Sequence, residues 1–414
     1  MTNNIKKDYL WNTIGVLAQN AISPLLLIAV TRLNGVSDSG LFSFAFSLAL
    51  VFWAIGIWGG RTFQVSDVKR EFTAQSYIFV RLLLSVVMLG GAIIFCTLNG
   101  YDAIKTTTII VLVLFKVVES VADAIYGILQ VHGRLFITGR SLLYKAILGF
   151  VAFIFIDTLT QNIFLSCIGL FGANLLVLFA YDIPRALKFE KVLVGLSHVN
   201  QYIKEAIVIM QRCWPIAVVI LFSMFSLIIP RYFIDLYHQN EIGYFGILAM
   251  PITALGLVIT FIIQPNVVRL SQHLEKKQFN TFDSIVTRLL LVAGLIGVAI
   301  FITTYFIGVQ VLEIIFGVDF SNYKTALMVM VVGAIVNAYV SIYVNILTIM
   351  RHFKAQFFTL LFTNIGLVFI GLATVQQYGL LGGVVAYMAV NMVQAIILFV
   401  AYRRLIARIS RSEV

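Results

Sequence analysis

One apolar segment carries three charged side chains at helical spacing, and they are the strongest chemical signal in the chain. Lys116, Glu119 and Asp123 follow one another at intervals of three and four residues, so a helix places them on one face together with Ser120. A charge at mid-membrane costs about 2.5–3.5 kcal/mol on insertion scales, so these groups must face protein or water and pair with one another. The pattern predicts an ion-coupling site in which a carboxylate binds H⁺ or Na⁺ and Lys116 competes for it. The alternative is a self-neutralising triad that lines a wet cavity.

Basic side chains in or at the ends of apolar segments are candidates for binding a phosphate. Arg32, Arg61 and Arg231 each stand at a segment end, and Lys116 lies within one. A guanidinium can hold two phosphate oxygens at once, so we expect the three arginines to mark the path of an anionic headgroup. The alternative for each arginine is snorkelling to the membrane interface.

Two amides, Gln19 and Asn20, interrupt the first apolar segment near its middle. An amide both donates and accepts hydrogen bonds, which suits sugar hydroxyls. We therefore expect Gln19 and Asn20 to contact sugar. The alternative is hydrogen bonding between helices, which polar residues in membrane bundles often provide.

Motifs for enzyme chemistry are nearly absent. The chain has no Walker loop and no nucleophile elbow, and its five histidines and three cysteines lack metal-ligand spacing. We expect no catalytic residues, no metal and no cofactor.

Composition places the candidate residues inside a membrane. The chain has 414 residues, of which 61% are hydrophobic and 11% charged. A soluble domain is about half apolar and about a quarter charged. A spanning helix needs about 20 apolar residues. Twelve apolar runs are present, at 10–33, 40–60, 77–98, 106–129, 142–156, 162–181, 214–233, 243–264, 289–307, 326–349, 357–376 and 379–402. The fold class predicted is an all-α integral membrane protein with about twelve transmembrane helices, because period-2 alternation is missing.

The basic residues predict the orientation of these helices. With the N-terminus inside, 24 of the 29 Lys and Arg lie on the cytoplasmic side, four lie outside and Lys116 lies within a span. By the positive-inside rule both termini are cytoplasmic. The net charge of +11 then reflects this bias and not a nucleic-acid partner. We expect a multi-pass protein of the bacterial inner (cytoplasmic) membrane.

The two halves of the chain look like repeats. Arg-Leu-Leu-Leu opens the third span at 81–84 and the ninth at 288–291, and Gly and Phe follow an acidic residue before the second and eighth spans. Six spans per half make the repeats parallel, with a pseudo-two-fold axis along the membrane normal. We predict an N-terminal six-helix lobe (1–184), a basic amphipathic cytoplasmic linker (185–212) and a C-terminal six-helix lobe (213–414).

Several hydrophobic motifs resemble those of bacterial polysaccharide repeat-unit flippases. They are Pro-Arg-Tyr-Phe-Ile-Asp at 230–235, Glu-Ile-Gly-Tyr-Phe at 241–245, Ile-Ile-Phe-Gly at 314–317 and Tyr-Gly-Leu-Leu-Gly-Gly at 378–383. These flippases, called Wzx-type when they carry O-antigen units, form part of the multidrug/oligosaccharidyl-lipid/polysaccharide exporter (MOP) superfamily. The resemblance extends over essentially the whole chain.

The resemblance implies a function as well as a fold. It implies a cleft between two lobes, with Gln19, Asn20, Arg61 and Arg231 in or beside it. It implies that an undecaprenyl-pyrophosphate-linked oligosaccharide moves from the inner to the outer leaflet by alternating access coupled to H⁺ or Na⁺. Its partners would be this lipid-linked oligosaccharide, membrane lipids and the polysaccharide polymerase machinery.

Two other functions are weighed against this one. A multidrug cation antiporter of the same fold should have acids in the cleft and little excess base, whereas the cleft candidates here are amides and arginines. A membrane glycosyltransferase or polymerase should carry a long outer loop, which the spacing of the apolar runs leaves no room for. Peptidoglycan-precursor flippases place arginines inside the first helix, where this chain has Gln19 and Asn20. This difference argues against a peptidoglycan precursor as the substrate.

Overall fold

The computed structural model describes residues 2–67, 69–195 and 198–411, with side chains from residue 7 to residue 409 in these ranges. All regular secondary structure in these ranges is helical. The chain divides into two compact units, Met1–Met224 and Phe225–Val414, and the boundary falls inside one long helix. The predicted all-α membrane architecture is thereby confirmed. The predicted limits of the two lobes and the linker stay a prediction.

Helices of both units follow the apolar runs. Those of the first unit are α1 (Thr2–Asn34), α2 (Val36–Ile57), α3 (Gly60–Ser66), α4 (Ala74–Leu98), α5 (Ala103–Val131), α6 (Leu135–Thr160), α7 (Ile163–Val177), a π-helical turn (Leu178–Asp182) and α8 (Ile183–Ala186). Helix α9 (Val199–Tyr237) runs from the first unit into the second. The second unit continues with 3₁₀ turns at Gln239–Glu241 and Ser321–Tyr323 and with α10 (Ile242–Leu248), α11 (Met250–Glu275), α12 (Phe279–Phe316), α13 (Lys324–Ile349) and α14 (Phe353–Arg411).

The number of spans agrees with the sequence. In the described ranges, ten helices are long and apolar enough to cross a membrane. Helix α5 is not among them because Lys116, Glu119 and Asp123 interrupt its apolar character. One of the ten, within α14, contains a non-helical residue at Gly379 and so consists of two helical segments. With α5 and both segments of α14, the described chain holds the twelve spans that were predicted.

Helix α5 lies at the centre of the first unit. It packs against α2, α4 and α7, and α3 lies along it as well. Its neighbours α4 and α7 begin at side-chain caps: Thr73 and Asn162 accept hydrogen bonds from backbone N–H groups in the first turn, as Asp102 does for α5 itself. Polar side chains midway along α5, such as Lys116 and Ser120, are therefore buried among other helices of the unit.

A break separates α2 from α3. Trp58 and Gly59 both have left-handed backbone conformations, with φ of 42° and 65°, so the helix ends and restarts at Gly60. The indole of Trp58 donates to the backbone oxygen of Met210 at 3.0 Å, which holds the break in place. The sequence predicted one uninterrupted run at 40–60. The break places Arg61 on a short helix beside α5.

The segment expected as a separate amphipathic linker leads directly into α9. From Val199 the helix continues without interruption into the seventh span. Its buried residues Ala206, Ile209 and Cys213 recur every three or four positions and pack against α4. One turn earlier, the ring of Tyr202 lies 5.8 Å from that of Phe79 in α4. This part of the chain is therefore packed against the first unit.

The core of the second unit forms where α11, α12 and α13 meet the end of α14. Its fully buried members include Leu270, Phe282, Ile342 and Leu398. Close by, Tyr402 donates a hydrogen bond to Asp283 at 2.7 Å.

Candidate functional site

Lys116 and Glu119 form a buried ion pair on α5. The ammonium lies 2.6 Å from Glu119 Oε2, and the Lys116 side chain is only 6% exposed. The ring centroids of Phe46 and Phe115 each lie 4.7 Å from the ammonium and 6.3 Å from one another. Gln19 of α1 donates to the other oxygen of Glu119. Lys116 and Glu119 thus show the pairing predicted within the triad, and the Gln19 amide of α1 binds the second oxygen of the Glu119 carboxylate.

Asp123, one turn further along α5, has two arginine partners. Arg81 of α4 lies 3.0 Å away and is 2% exposed. Arg61 of α3 lies 3.5 Å from the other carboxylate oxygen and is 29% exposed. Asp123 therefore does not pair with Lys116, and one carboxylate serves two guanidinium groups.

Arg61 also has a neutral partner. Its Nε and Nη2 both donate to Gln130 Oε1, at 3.2 Å and 3.0 Å. The ring of Tyr126 lies 5.8 Å from the guanidinium carbon. Amide and ring orient Arg61 without neutralising it, so its positive charge is only partly matched.

The cluster of Gln19, Arg61, Arg81, Lys116, Glu119 and Asp123, called here the α5 polar cluster, contains three cations and two carboxylates. Both carboxylates have basic partners within 3.0 Å. The surplus charge is positive and lies nearest the surface at Arg61. Such a site is suited to an added anion more than to an added cation.

The remaining candidate residues make other contacts. Asn20 is exposed and donates to the backbone oxygen of Val16, one turn back on α1. Arg32 is exposed near the end of α1. Arg231 lies in the second unit, with its guanidinium 5.7 Å from the ring of Phe245. Within the first unit the structure thus brings together Gln19, Arg61 and the triad, but not Asn20 or Arg32.

Two members of the site were missed from the sequence. Arg81 was noted only as a repeat marker, and Gln130 was not singled out. An arginine a few residues inside an apolar run, as Arg81 is in α4, should by itself have indicated a buried counter-charge, because membrane helices rarely carry one unpaired.

The fold is that of MOP-superfamily transporters. An inward-facing multidrug resistance MATE transporter of this superfamily superposes with a TM-score of 0.75 over 97% of this chain and 96% of its own, at 15% identity. The lipid II flippase MurJ, in an inward closed conformation, superposes with a TM-score of 0.70 over 97% of this chain and 90% of its own, at 13% identity. These neighbours are transporters and a flippase, not enzymes. The resemblance predicted from the sequence is confirmed at the level of the fold.

One curated relative matches by sequence. It is the capsular polysaccharide biosynthesis protein CapF of Staphylococcus aureus, which is 22% identical over 335 residues, or 80% of this chain and 82% of the relative. No protein-family model matches the chain. The chain is thus a multi-pass membrane protein of transporter fold that is similar to a protein of capsule biosynthesis.

Proposed function

We propose that this protein translocates a lipid-linked oligosaccharide repeat unit from the inner to the outer leaflet of the bacterial inner membrane. The substrate is an oligosaccharide on undecaprenyl pyrophosphate, and the product supplies a surface polysaccharide such as capsule or O-antigen. The observation that carries this proposal is the similarity to CapF, which extends over 80% of this chain and 82% of the relative. The fold shared with a lipid II flippase supports the same class of substrate.

The electrostatics of the α5 polar cluster support an anionic headgroup. Arg61 is partly exposed, and the carboxylate it approaches is already held by Arg81. A pyrophosphate offers oxygens in the geometry that a guanidinium binds best. Arg61 is therefore the proposed headgroup contact on the first unit, and Arg32 and Arg231 are proposed as further contacts along the path.

The amides have separate proposed roles. The Gln19 amide N–H is engaged by Glu119, so Gln19 offers its carbonyl oxygen to a sugar hydroxyl. Asn20 uses one N–H within its own helix and is exposed, so it has further capacity for sugar. The polymerase machinery and the membrane lipids are the proposed partners.

Coupling to H⁺ or Na⁺ at Glu119 and Asp123 remains part of the proposal. A bound ion shifts an equilibrium between inward- and outward-facing states only by its differential affinity for the two. Because both carboxylates are paired in this conformation, the ion would bind in a state in which Lys116 or an arginine has moved away.

A multidrug cation antiporter is the second candidate, favoured by the structural similarity to a MATE transporter. The pairing of both carboxylates in the α5 polar cluster argues against it, because a cationic drug would meet surplus positive charge.

Deletion of the gene, with complementation by plasmid copies, separates the two functions. The proposal predicts that surface polysaccharide disappears and that short prenyl-pyrophosphate-linked repeat units accumulate on the cytoplasmic face. The wild-type copy should restore export, whereas Arg61→Gln should restore it only in part. Unchanged surface polysaccharide together with new sensitivity to lipophilic cations would refute the flippase and support the antiporter.

A further inference from the structure

Arg81 is the most completely buried charged group of the α5 polar cluster. Its Nη1 donates to two backbone oxygens at the end of α2, that of Gly56 at 3.2 Å and that of Ile57. Its Nη2 donates to Asp123 at 3.0 Å. A cation at the C-terminal end of a helix is stabilised by the helix dipole. Arg81 is thus fixed from two sides, by the end of α2 and by a carboxylate.

The backbone of α3 begins directly over this guanidinium. A Cβ atom at Gly60 would lie 3.0 Å from both terminal nitrogens of Arg81, so only a glycine fits without displacement. The next residue is Arg61. Arg81 therefore lies closer to Asp123 than Arg61 does. Arg61 approaches the same carboxylate from a greater distance and from a more exposed position.

We propose that Arg81 is a positioning residue that keeps Asp123 neutralised, so that Arg61 stays available to an anionic headgroup. The inference rests on the proposed function. Without Arg81, Asp123 is free to form a close, two-oxygen pair with Arg61, which is the geometry a pyrophosphate would otherwise use. Asp123 and the headgroup thus compete for Arg61, and Arg81 limits this competition by pairing with Asp123.

The availability of Arg61 can be measured without any substrate. Purified protein in lipid nanodiscs is treated with phenylglyoxal, which modifies arginine, and modification at Arg61 is followed by peptide mass spectrometry. Asp123→Asn should speed modification about threefold, because a partly exposed ion pair is worth only a modest factor. Arg81→Gln should slow it about fivefold, because Asp123 then pairs fully with Arg61. The double variant Arg81→Gln/Asp123→Asn should match Asp123→Asn.

A purely structural role of Arg81 predicts a different pattern. Loss of packing would speed modification in Arg81→Gln and would leave Asp123→Asn no more reactive than wild type; either result overturns the proposal. If Arg81→Gln does not fold, as thermal unfolding will show, the Asp123→Asn result decides alone.

The headgroup contact is tested on the same samples with farnesyl pyrophosphate as the probe and farnesol as the neutral control. Protection of Arg61 by the pyrophosphate should be strengthened in Asp123→Asn and weakened in Arg81→Gln. If reactivity follows the predicted order but farnesyl pyrophosphate protects in no variant, Arg81 positions Arg61 as proposed and the headgroup assignment fails. If farnesyl pyrophosphate protects Arg61 equally in the wild type, in Asp123→Asn and in Arg81→Gln, the assignment of Arg61 as a headgroup contact stands and the proposed role of Arg81 is wrong.

Discussion

The two carboxylates of α5 differ in what neutralises them. Glu119 pairs with a lysine of its own helix and with an amide from α1, whereas Asp123 pairs with arginines from α3 and α4. Among the basic partners Arg61 is the most exposed, at 29% against 6% for Lys116 and 2% for Arg81. Glu119 and Lys116 therefore form the stable, internal part of the cluster, and Arg61 forms the part that meets a ligand.

Glu119→Gln should destabilise the protein. The substitution leaves the buried Lys116 ammonium beside Phe46 and Phe115 without a counter-charge, which costs about 3 kcal/mol in proteins. Adding Lys116→Met to the same variant should recover most of this loss. Chemical unfolding in detergent measures both, and a single variant as stable as wild type would show that the pair is not needed for folding.

A second buried ion pair offers a control outside the α5 polar cluster. Lys145 and Asp182 lie 2.6 Å apart and are fully buried, and Lys145 also donates to the hydroxyl of Tyr126. Asp182→Asn should lower the free energy of unfolding by about 3–5 kcal/mol, because it leaves a buried cation unpaired. The apolar pair Lys145→Met/Asp182→Leu should fall within about 2 kcal/mol of wild type. Equal losses in both variants would contradict this account of the pair.

Sequence reasoning identified the charged triad but not how its charges are shared. Helical spacing predicts which residues lie on one face of α5, and it did so for Lys116, Glu119 and Asp123. It contains no information about which residues of α3 and α4 come opposite that face. Arg61 and Arg81 are 20 positions apart and meet at Asp123 only because α2 breaks before α3.

The boundaries of the helices show a similar division. The fifth run, predicted at 142–156, extends to Leu135–Thr160, because the flanking residues, which include Arg140 and Asp157, are still helical. The break after α2 was not predicted, because Trp58 and Gly59 lie inside a continuous apolar stretch. Hydrophobicity predicts the membrane segment, whereas the end of a helix depends on local backbone geometry.

The repeat between the halves does not extend to the roles of its residues. Arg81 and Arg288 open matching motifs, yet Arg81 is buried at Asp123 and Arg288 is exposed. The matching motifs at 81–84 and 288–291 thus lie in two helices in which the surroundings of the arginine differ.

The break within α14 requires a glycine at 379. Its φ is +56°, and a Cβ there would lie 2.4 Å from the carboxylate of Glu241, which accepts a hydrogen bond from the N–H of Leu380. Gly379→Ala should cost about 2 kcal/mol through backbone strain. Gly366→Ala is the matched control, because Gly366 lies in the same helix with nothing within 4 Å of its Cβ position, and it should be neutral or slightly stabilising. Similar losses at both positions would contradict the strain argument.

At the scale of the whole molecule, the distribution of basic residues predicts that both termini are cytoplasmic. A fluorescent protein that folds only in the cytoplasm, fused to the C-terminus, should be fluorescent in cells. Alkaline phosphatase at the same place should be inactive, because it requires export. The opposite pair of results would show that all spans have the reverse orientation and that Arg61 lies at the other end of the headgroup's path.

The most direct test of the account is translocation by the purified protein. Proteoliposomes carrying a fluorescent short-chain prenyl-pyrophosphate-linked sugar are treated with an impermeant reductant that quenches only the outer leaflet. The account predicts that wild-type protein moves the lipid between leaflets and that Arg61→Gln does so about tenfold more slowly, from loss of a charge-assisted contact. Translocation no faster than in protein-free vesicles, together with gradient-driven uptake of a lipophilic cation by the same preparation, would contradict it.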